Sequence, residues 1–186
     1  MSPLIVNGRT EKEILKACLK GDRLAHKDLF NMYAGKMMTI CLRYAKNHQE
    51  AEDILQEGFI KVFTYLHEFE NSGSFEGWVR RIVVNTAIKH TKKKSFSHED
   101  TGLEHVREDS VNPDALSALS EAELIKLISE LPDRYKIIFN LYAIEGYTHR
   151  EISELLNIEE TTSRSQLLKA RRMLQSKVQE LYTVAV

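Results

Sequence analysis

The sequence is poor in the features that cross-link a chain, anchor it in a bilayer or arm it for covalent chemistry. Only two cysteines occur in 186 residues, Cys18 and Cys41. Each sits in an apolar pattern of helical period, with no CxxC and no nearby pair of His to complete a zinc site. A disulfide framework and a Cys-based metal site therefore have nothing to build on, and buried free thiols are expected. No apolar run approaches the ~20 residues that cross a bilayer; the longest, near "IIFNLYAI", is broken by Asn140. The opening "MSPLIVNGRTEKE" has no basic segment followed by a long apolar one, so a cytoplasmic protein with no direct membrane insertion is expected. Strand signals are nearly absent, since the β-branched "RRIVVNTAI" lies inside a longer pattern of helical period. No repeat recurs at solenoid spacing.

Catalytic signatures are lacking as well. There is no Ser-His-Asp or Cys-His pattern in recognisable context, no phosphate-cradling glycine loop and no metal-ligand spacing. The seven His are scattered, and His98 and His105 share only a short acidic segment. The expectation is a protein that is not an enzyme, with no catalytic residue, cofactor or metal.

What the chain does have is apolar mass and segregated charge. With 42% hydrophobic residues it can build one ordinary core or two small ones. The formal net charge of −1 conceals a division: 16 Lys/Arg against 11 Asp/Glu in residues 1–95, 1 against 8 in 96–123, and 9 against 8 in 124–186. Only charge close to a phosphate survives screening at cellular salt, so this distribution suggests a polyanion partner for the outer parts. The middle stretch holds the turn signal Asn112-Pro113 and few large apolar residues. It reads as a linker over 96–119, between helical domains over 10–95 and 120–183. The predicted fold is all-α, two small helical domains joined by an acidic linker.

In the first domain, Ile14, Leu15, Cys18 and Leu19, then Leu29, Phe30, Tyr33, Met37, Ile40, Cys41 and Tyr44, recur at helical spacing, with Gly21 between two helices. Asn47 is placed to cap the next helix, with Glu50 at the reciprocal position. Ala51, Leu55, Phe59, Val62, Phe63 and Leu66 form its apolar stripe, and Asp53, Gln56, Glu57 and Ile60 an acidic strip with an apolar end on the opposite side. Such a strip is either a solvated face or a dock for a basic helix. A further helix begins near Phe75 and runs into "KHTKKK"; Arg81, Asn85, Lys89 and Lys92 align along it, followed by Lys93 and Lys94. Basic residues beside aromatics suit a single strand of nucleic acid, although the spacing of Trp78 with Ile82 predicts a core tryptophan.

In the second domain, Leu124, Ile125, Leu127, Ile128 and Leu131 precede Pro132, which is suited to start the helix "DRYKIIFNLYAIEG". Gly146 is placed to end it, and Thr148 with Glu151 forms a capping box for the next. After Leu156 only Asn157, Ile158, Glu159 and Glu160 separate that helix from another, on which Leu167, Ala170 or Arg171, and Leu174 share a face. This is helix-turn-helix spacing. Arg164 and Gln166, near the start of that helix, have the donors needed for base edges, and Lys169, Arg171 and Arg172 suit phosphates.

The segments "AEDILQEGFIKVF", "FEGWVRRIVVNTAIKHTKKK" and "GYTHREISELLNIEETTSRSQLLKARRML", in this order around an acidic linker, resemble the two-domain bacterial sigma factors of the extracytoplasmic-function (ECF) group, from about Leu15 to Leu181. The resemblance implies that Asp53, Gln56 and Glu57 dock on the β′ coiled coil of core RNA polymerase. It implies that Arg80, Arg81, Asn85, Lys89, Lys92 and Lys93, within 72–94, contact promoter DNA where it melts. It further implies that 161–174 reads the upstream promoter element, with Thr162, Arg164, Ser165, Gln166 and Lys169 among its DNA contacts, that the linker threads toward the polymerase active centre and RNA exit path, and that the β subunit of core polymerase and an anti-sigma factor are partners. Where the family often has Gly then Thr-Val at the start of the reading helix, this chain has Thr161, Thr162 and Ser163, and Glu159 stands at the preceding cap. Two other functions fit the same residues: an autonomous helix-turn-helix regulator, which would bind duplex without polymerase, and a helical interaction module, which would survive charge reversal at Arg164 and Lys169.

Overall fold

The computed structural model describes residues 5–70, 73–95 and 121–184. Among these the chain is helical apart from one short N-terminal hairpin, so the all-α reading holds. The chain divides into two compact units after His90. The expected linker, 96–119, with His98 and His105, lies outside the described residues.

The hairpin is an addition to the sequence reading. Strands β1 (Ile5–Val6) and β2 (Arg9–Thr10) pair antiparallel, Val6 opposite Arg9. Asn7 and Gly8 between them have φ of 50° and 75°, the two positive values that a type I′ turn demands and that Asn-Gly supplies at little cost. The Asn7 amide donates to Asp28 Oδ1 at 2.7 Å, tying the hairpin to the helix below.

Four helices follow: α1 (Glu11–Cys18), α2 (Arg23–Tyr44), α3 (His48–Thr64) and α4 (Phe75–Ser95). Each start has a chemical cause. Thr10 and Glu13 form a capping box, Asp22 accepts from the amides of Leu24 and Ala25, and Asn47 accepts from Glu50 N at 2.8 Å. The Glu50 carboxylate reaches past the predicted reciprocal partner to Lys46 N. Gly21, at φ 81°, reverses the chain between α1 and α2. The apolar stripes pack largely as expected. Leu19 falls past the end of α1 and is 58% exposed, Phe30 and Phe63 are half-buried, and Ile54 and Gly58 join the buried face of α3. Burial raises the thiol pKa of Cys18 to about 11 and of Cys41 to about 12, which makes both inert free thiols. Helices α3 and α4 approach closely at Gly58, where an added Cβ would lie 3.1 Å from Val83 Cγ2.

The second unit contains α5 (Glu121–Ser129), α6 (Asp133–Phe139), α7 (His149–Leu156) and α8 (Glu160–Val184). Its core joins Leu127, Ile128 and Leu131 to Ala170, Leu174 and Val178 of α8. Pro132 sits at the cap of α6, one position earlier than a first-turn proline. The helix predicted through Ile144 is α-helical only to Phe139; residues Asn140–Ile144 continue as a wider π turn before Gly146, at φ 76°, ends it. Lys136 is buried, and its ammonium donates to the Ser129 carbonyl at 3.0 Å with Asp133 Oδ1 at 3.5 Å, so that it serves an orphan carbonyl at the end of α5.

Candidate nucleic-acid and partner interfaces

The helix-turn-helix is built by α7 and α8. Thr148 and Glu151 cap each other's amides at the start of α7, and Asn157 ends it in the left-handed region at φ 56° and ψ 53°. Ile158 is half-buried in the turn. Leu167, Ala170, Leu174 and Val178 then anchor α8. The helical period leaves two outer flanks. One carries Arg164, Ser165 and Arg171, all exposed, with Arg172 half-buried; the other carries Thr162, Gln166 and Lys169, all half-buried. Arg164 is ion-paired with Glu160 one turn earlier, so binding an anion there must divide the guanidinium between two acceptors.

Two features of this surface escaped the sequence reading. Leu168 is 50% exposed, between Arg164 and Arg171 in the helical order; its signal is an apolar residue out of phase with Leu167, Ala170 and Leu174. Ser163, by contrast, is fully buried, and its hydroxyl lies 2.9 Å from His149 Nδ1. The His149 ring stacks on Tyr142, centroids 4.4 Å apart, and the Arg171 guanidinium lies 5.7 Å from the centre of the same Tyr142 ring. The polar residue at the start of α8 is thus held by a histidine one helix earlier.

On α3, Asp53, Gln56 and Ile60 are exposed, Ile60 at 65%. Glu57 differs. Its Oε1 accepts from Lys61 at 2.7 Å and its Oε2 from His90 of α4 at 2.5 Å, while Lys61 also donates to Thr86 at 3.1 Å. Those hydrogen bonds, from Lys61 first and then His90, lower the carboxyl pKa to about 2. Glu57 is therefore a clamp between α3 and α4 as well as a member of the strip.

On α4, Arg81, Asn85 and Lys89 are exposed at successive turns and Arg80 is half-buried. The side chains of Lys92 and Lys93 lie outside the described residues. Trp78, predicted as core, is half-buried: it stacks on Phe75 at 5.5 Å and leans on Phe69 at 5.5 Å. Its own helical turn places it at the edge of the packed face, where Phe75 takes the buried position. Phe69, Trp78 and Arg81 help to line a cleft of about 340 Å³, together with Glu68 and Glu70. Among the described residues no helix is long and apolar enough to cross a membrane, and no group of His, Cys, Asp or Glu is placed to hold a metal ion.

Known proteins share these parts in the same order. The family model for Sigma-70 region 2 matches residues 29–96, and that for Sigma-70, region 4 matches residues 121–174. The ECF RNA polymerase sigma factor SigW of Bacillus subtilis is 31% identical over 182 residues, 91% of this chain and 97% of that protein. The ECF RNA polymerase sigma-E factor of Haemophilus influenzae is 28% identical, over 92% of this chain and 97% of its own. Among solved structures, the sigma factor RpoE in complex with the anti-sigma factor NepR from Bartonella quintana shares the fold. Its TM-score is 0.51 at 17% identity, over 83% of this chain and 96% of that one.

Proposed function

Since this chain belongs to the ECF group of RNA polymerase sigma factors, we propose that residues 10–95 dock on core polymerase and hold melted promoter DNA, while residues 120–183 read the upstream element, the two joined by the acidic segment 96–119. The observation that carries this reading is the cleft beside α4. An aromatic wall of Phe69 and Trp78 next to the Arg81, Asn85 and Lys89 face offers stacking for an unpaired base and donors for its backbone. Extruding a base costs a few kcal/mol, which stacking of about 1–3 kcal/mol per base and the phosphate contacts offset. Glu68 and Glu70 in its lining repel phosphate and accept from base amino groups, so the cleft favours a base over a backbone.

At the upstream element Arg164, Ser165 and Gln166 face base edges, Leu168 offers an apolar surface for a thymine methyl, and Lys169, Arg171 and Arg172 hold phosphates. Polymerase docking uses Asp53, Gln56 and Ile60, with Glu57 shared between the partner and its internal clamp. The work is done by binding energy alone, so the protein acts without catalytic residues and in the cytoplasm, where polymerase is. An anti-sigma factor is the expected regulator, as the relative RpoE is paired with one.

Run-off transcription from pooled genomic promoters, with core polymerase and with or without this protein, tests the function. Discrete start sites that depend on the protein are expected. Their absence, with no binding to core polymerase, would favour an autonomous regulator and require selection of duplex targets instead.

A further inference from the structure

We propose that His149 is a positioning residue for upstream-element binding, one that takes up a proton as promoter phosphates engage Arg164 and Arg171. The inference rests on the assignment of α8 as the promoter-reading helix. Its basis is geometric: one imidazole is bonded to the buried start of α8 through Ser163 and stacked on the ring over which Arg171 sits. The same ring therefore sets both the depth of the reading helix and the platform of a phosphate-binding guanidinium.

The surroundings make the ring's charge responsive to DNA. Facing it from α8 are Glu160, Arg164 and Arg171, and from the π turn Tyr142; on its own helix stand Arg150, paired with Glu154, and Glu151, held in the capping box. Burial first, and then Arg164 and Arg171, hold its pKa below the ordinary value, against an opposing pull from Glu160. A phosphate placed on Arg164 and Arg171 cancels the repulsion of those two cations and adds an anion nearby, so protonation becomes easier in the complex. Ser163 suits both charge states. Its hydroxyl donates to Nδ1 of a neutral ring and accepts from Nδ1 of a charged one, so the bond to α8 survives the change. The sign follows from linkage: the bound state holds more protons, so affinity rises as pH falls through the window between the free and bound pKa values, and is flat above both.

His149 is the only histidine between residues 121 and 184, which allows a clean test. Full-length protein with core polymerase is titrated with a duplex promoter found by run-off transcription, from pH 8 to pH 6, for the wild type, His149→Gln and Ser163→Ala. The wild type should tighten with falling pH by up to about tenfold per pH unit relative to His149→Gln, the limit for one proton. Ser163→Ala should bind severalfold more weakly at pH 8 and keep the pH increment. Equal slopes in the wild type and His149→Gln would overturn the inference while leaving the sigma function intact; no protein-dependent start sites at all would remove the promoter-reading function and this inference with it. Should His149→Gln fail to fold, NMR titration of the His149 ring in the wild type decides. An upward displacement of its pKa on adding the duplex is expected, and an unchanged pKa overturns the inference.

Discussion

Replacing Glu57 by Gln should destabilise the N-terminal unit at neutral pH by about 1 kcal/mol, and the loss should vanish in acid. The carboxylate bonds Lys61 at 2.7 Å and His90 at 2.5 Å, which joins α3 to α4. Taken without screening, the displacement of its pKa from 4.5 to about 2 is worth roughly 3 kcal/mol. The side chain is 37% exposed, and ion pairs open to water typically contribute only about 0.2–1 kcal/mol. A value near 1 kcal/mol is therefore the reasonable expectation, a Tm shift of about 4–8 °C for a unit of this size. Because the folded pKa is depressed, the stabilisation is complete above about 4.5 and is lost as pH falls from there toward about 2. The single tryptophan, Trp78, lies in the aromatic pile of this unit and reports its unfolding by fluorescence. Denaturation of the wild type and Glu57→Gln at pH 7 and at stepwise lower pH would measure the gap. Equal stability at pH 7, or a gap unchanged at pH 3, would refute the clamp.

Four further outcomes follow from the same geometry. Asp53→Arg, on an exposed position with no part in the clamp, should weaken core polymerase binding by about 2 kcal/mol or more, roughly thirtyfold, with Trp78 fluorescence unchanged; a binding assay on the folded variant checks it. Arg164→Ala should cost about 1–3 kcal/mol on the cognate upstream element and little on a scrambled one, whereas Arg172→Ala should weaken both alike and flatten the salt dependence. Trp78→Ala should leave polymerase binding intact but lower the population of open promoter, by the ~1–3 kcal/mol of one stacked base, as read by permanganate reactivity of unpaired thymines. Gly58→Ala should destabilise by about 1 kcal/mol, because its Cβ would meet the stiff, buried Val83 at 3.1 Å; thermal melts followed at Trp78 measure it.

Helical periodicity and caps were legible because they are local. Thr148 with Glu151, Asn47, Gly21 and Gly146 each act within one turn of the chain, and each stands where its side chain or its missing Cβ requires. The Asn7-Gly8 hairpin is equally local, but two-residue strands carry too little alternation to register in a sequence pattern. What periodicity did not convey is the partner across a helix pair. Glu57 reads as one more acidic residue of a strip until His90, 33 positions later, is brought against it. Ser163 reads as a departure from the family until His149 and Tyr142 give its hydroxyl a reason to be buried. Trp78 fits the core by spacing, yet Phe75 fills that position and leaves the indole at the cleft.

Two of the apolar groups left in water point to the same division of labour as the charges. Ile60 closes the acidic strip of α3 at 65% exposure, and Leu168 lies amid the arginines of α8 at 50%. Neither adds to the core, and each carries a cost in solubility that a purely structural face would shed. A desolvated aliphatic side chain ringed by charge is the usual composition of a binding centre, in which the charges orient the partner and the apolar group supplies the affinity. Changing Ile60 or Leu168 to Ala should therefore leave stability within about 0.5 kcal/mol while weakening, respectively, polymerase binding and upstream-element binding. Loss of folding in place of loss of binding would show that these side chains serve packing after all.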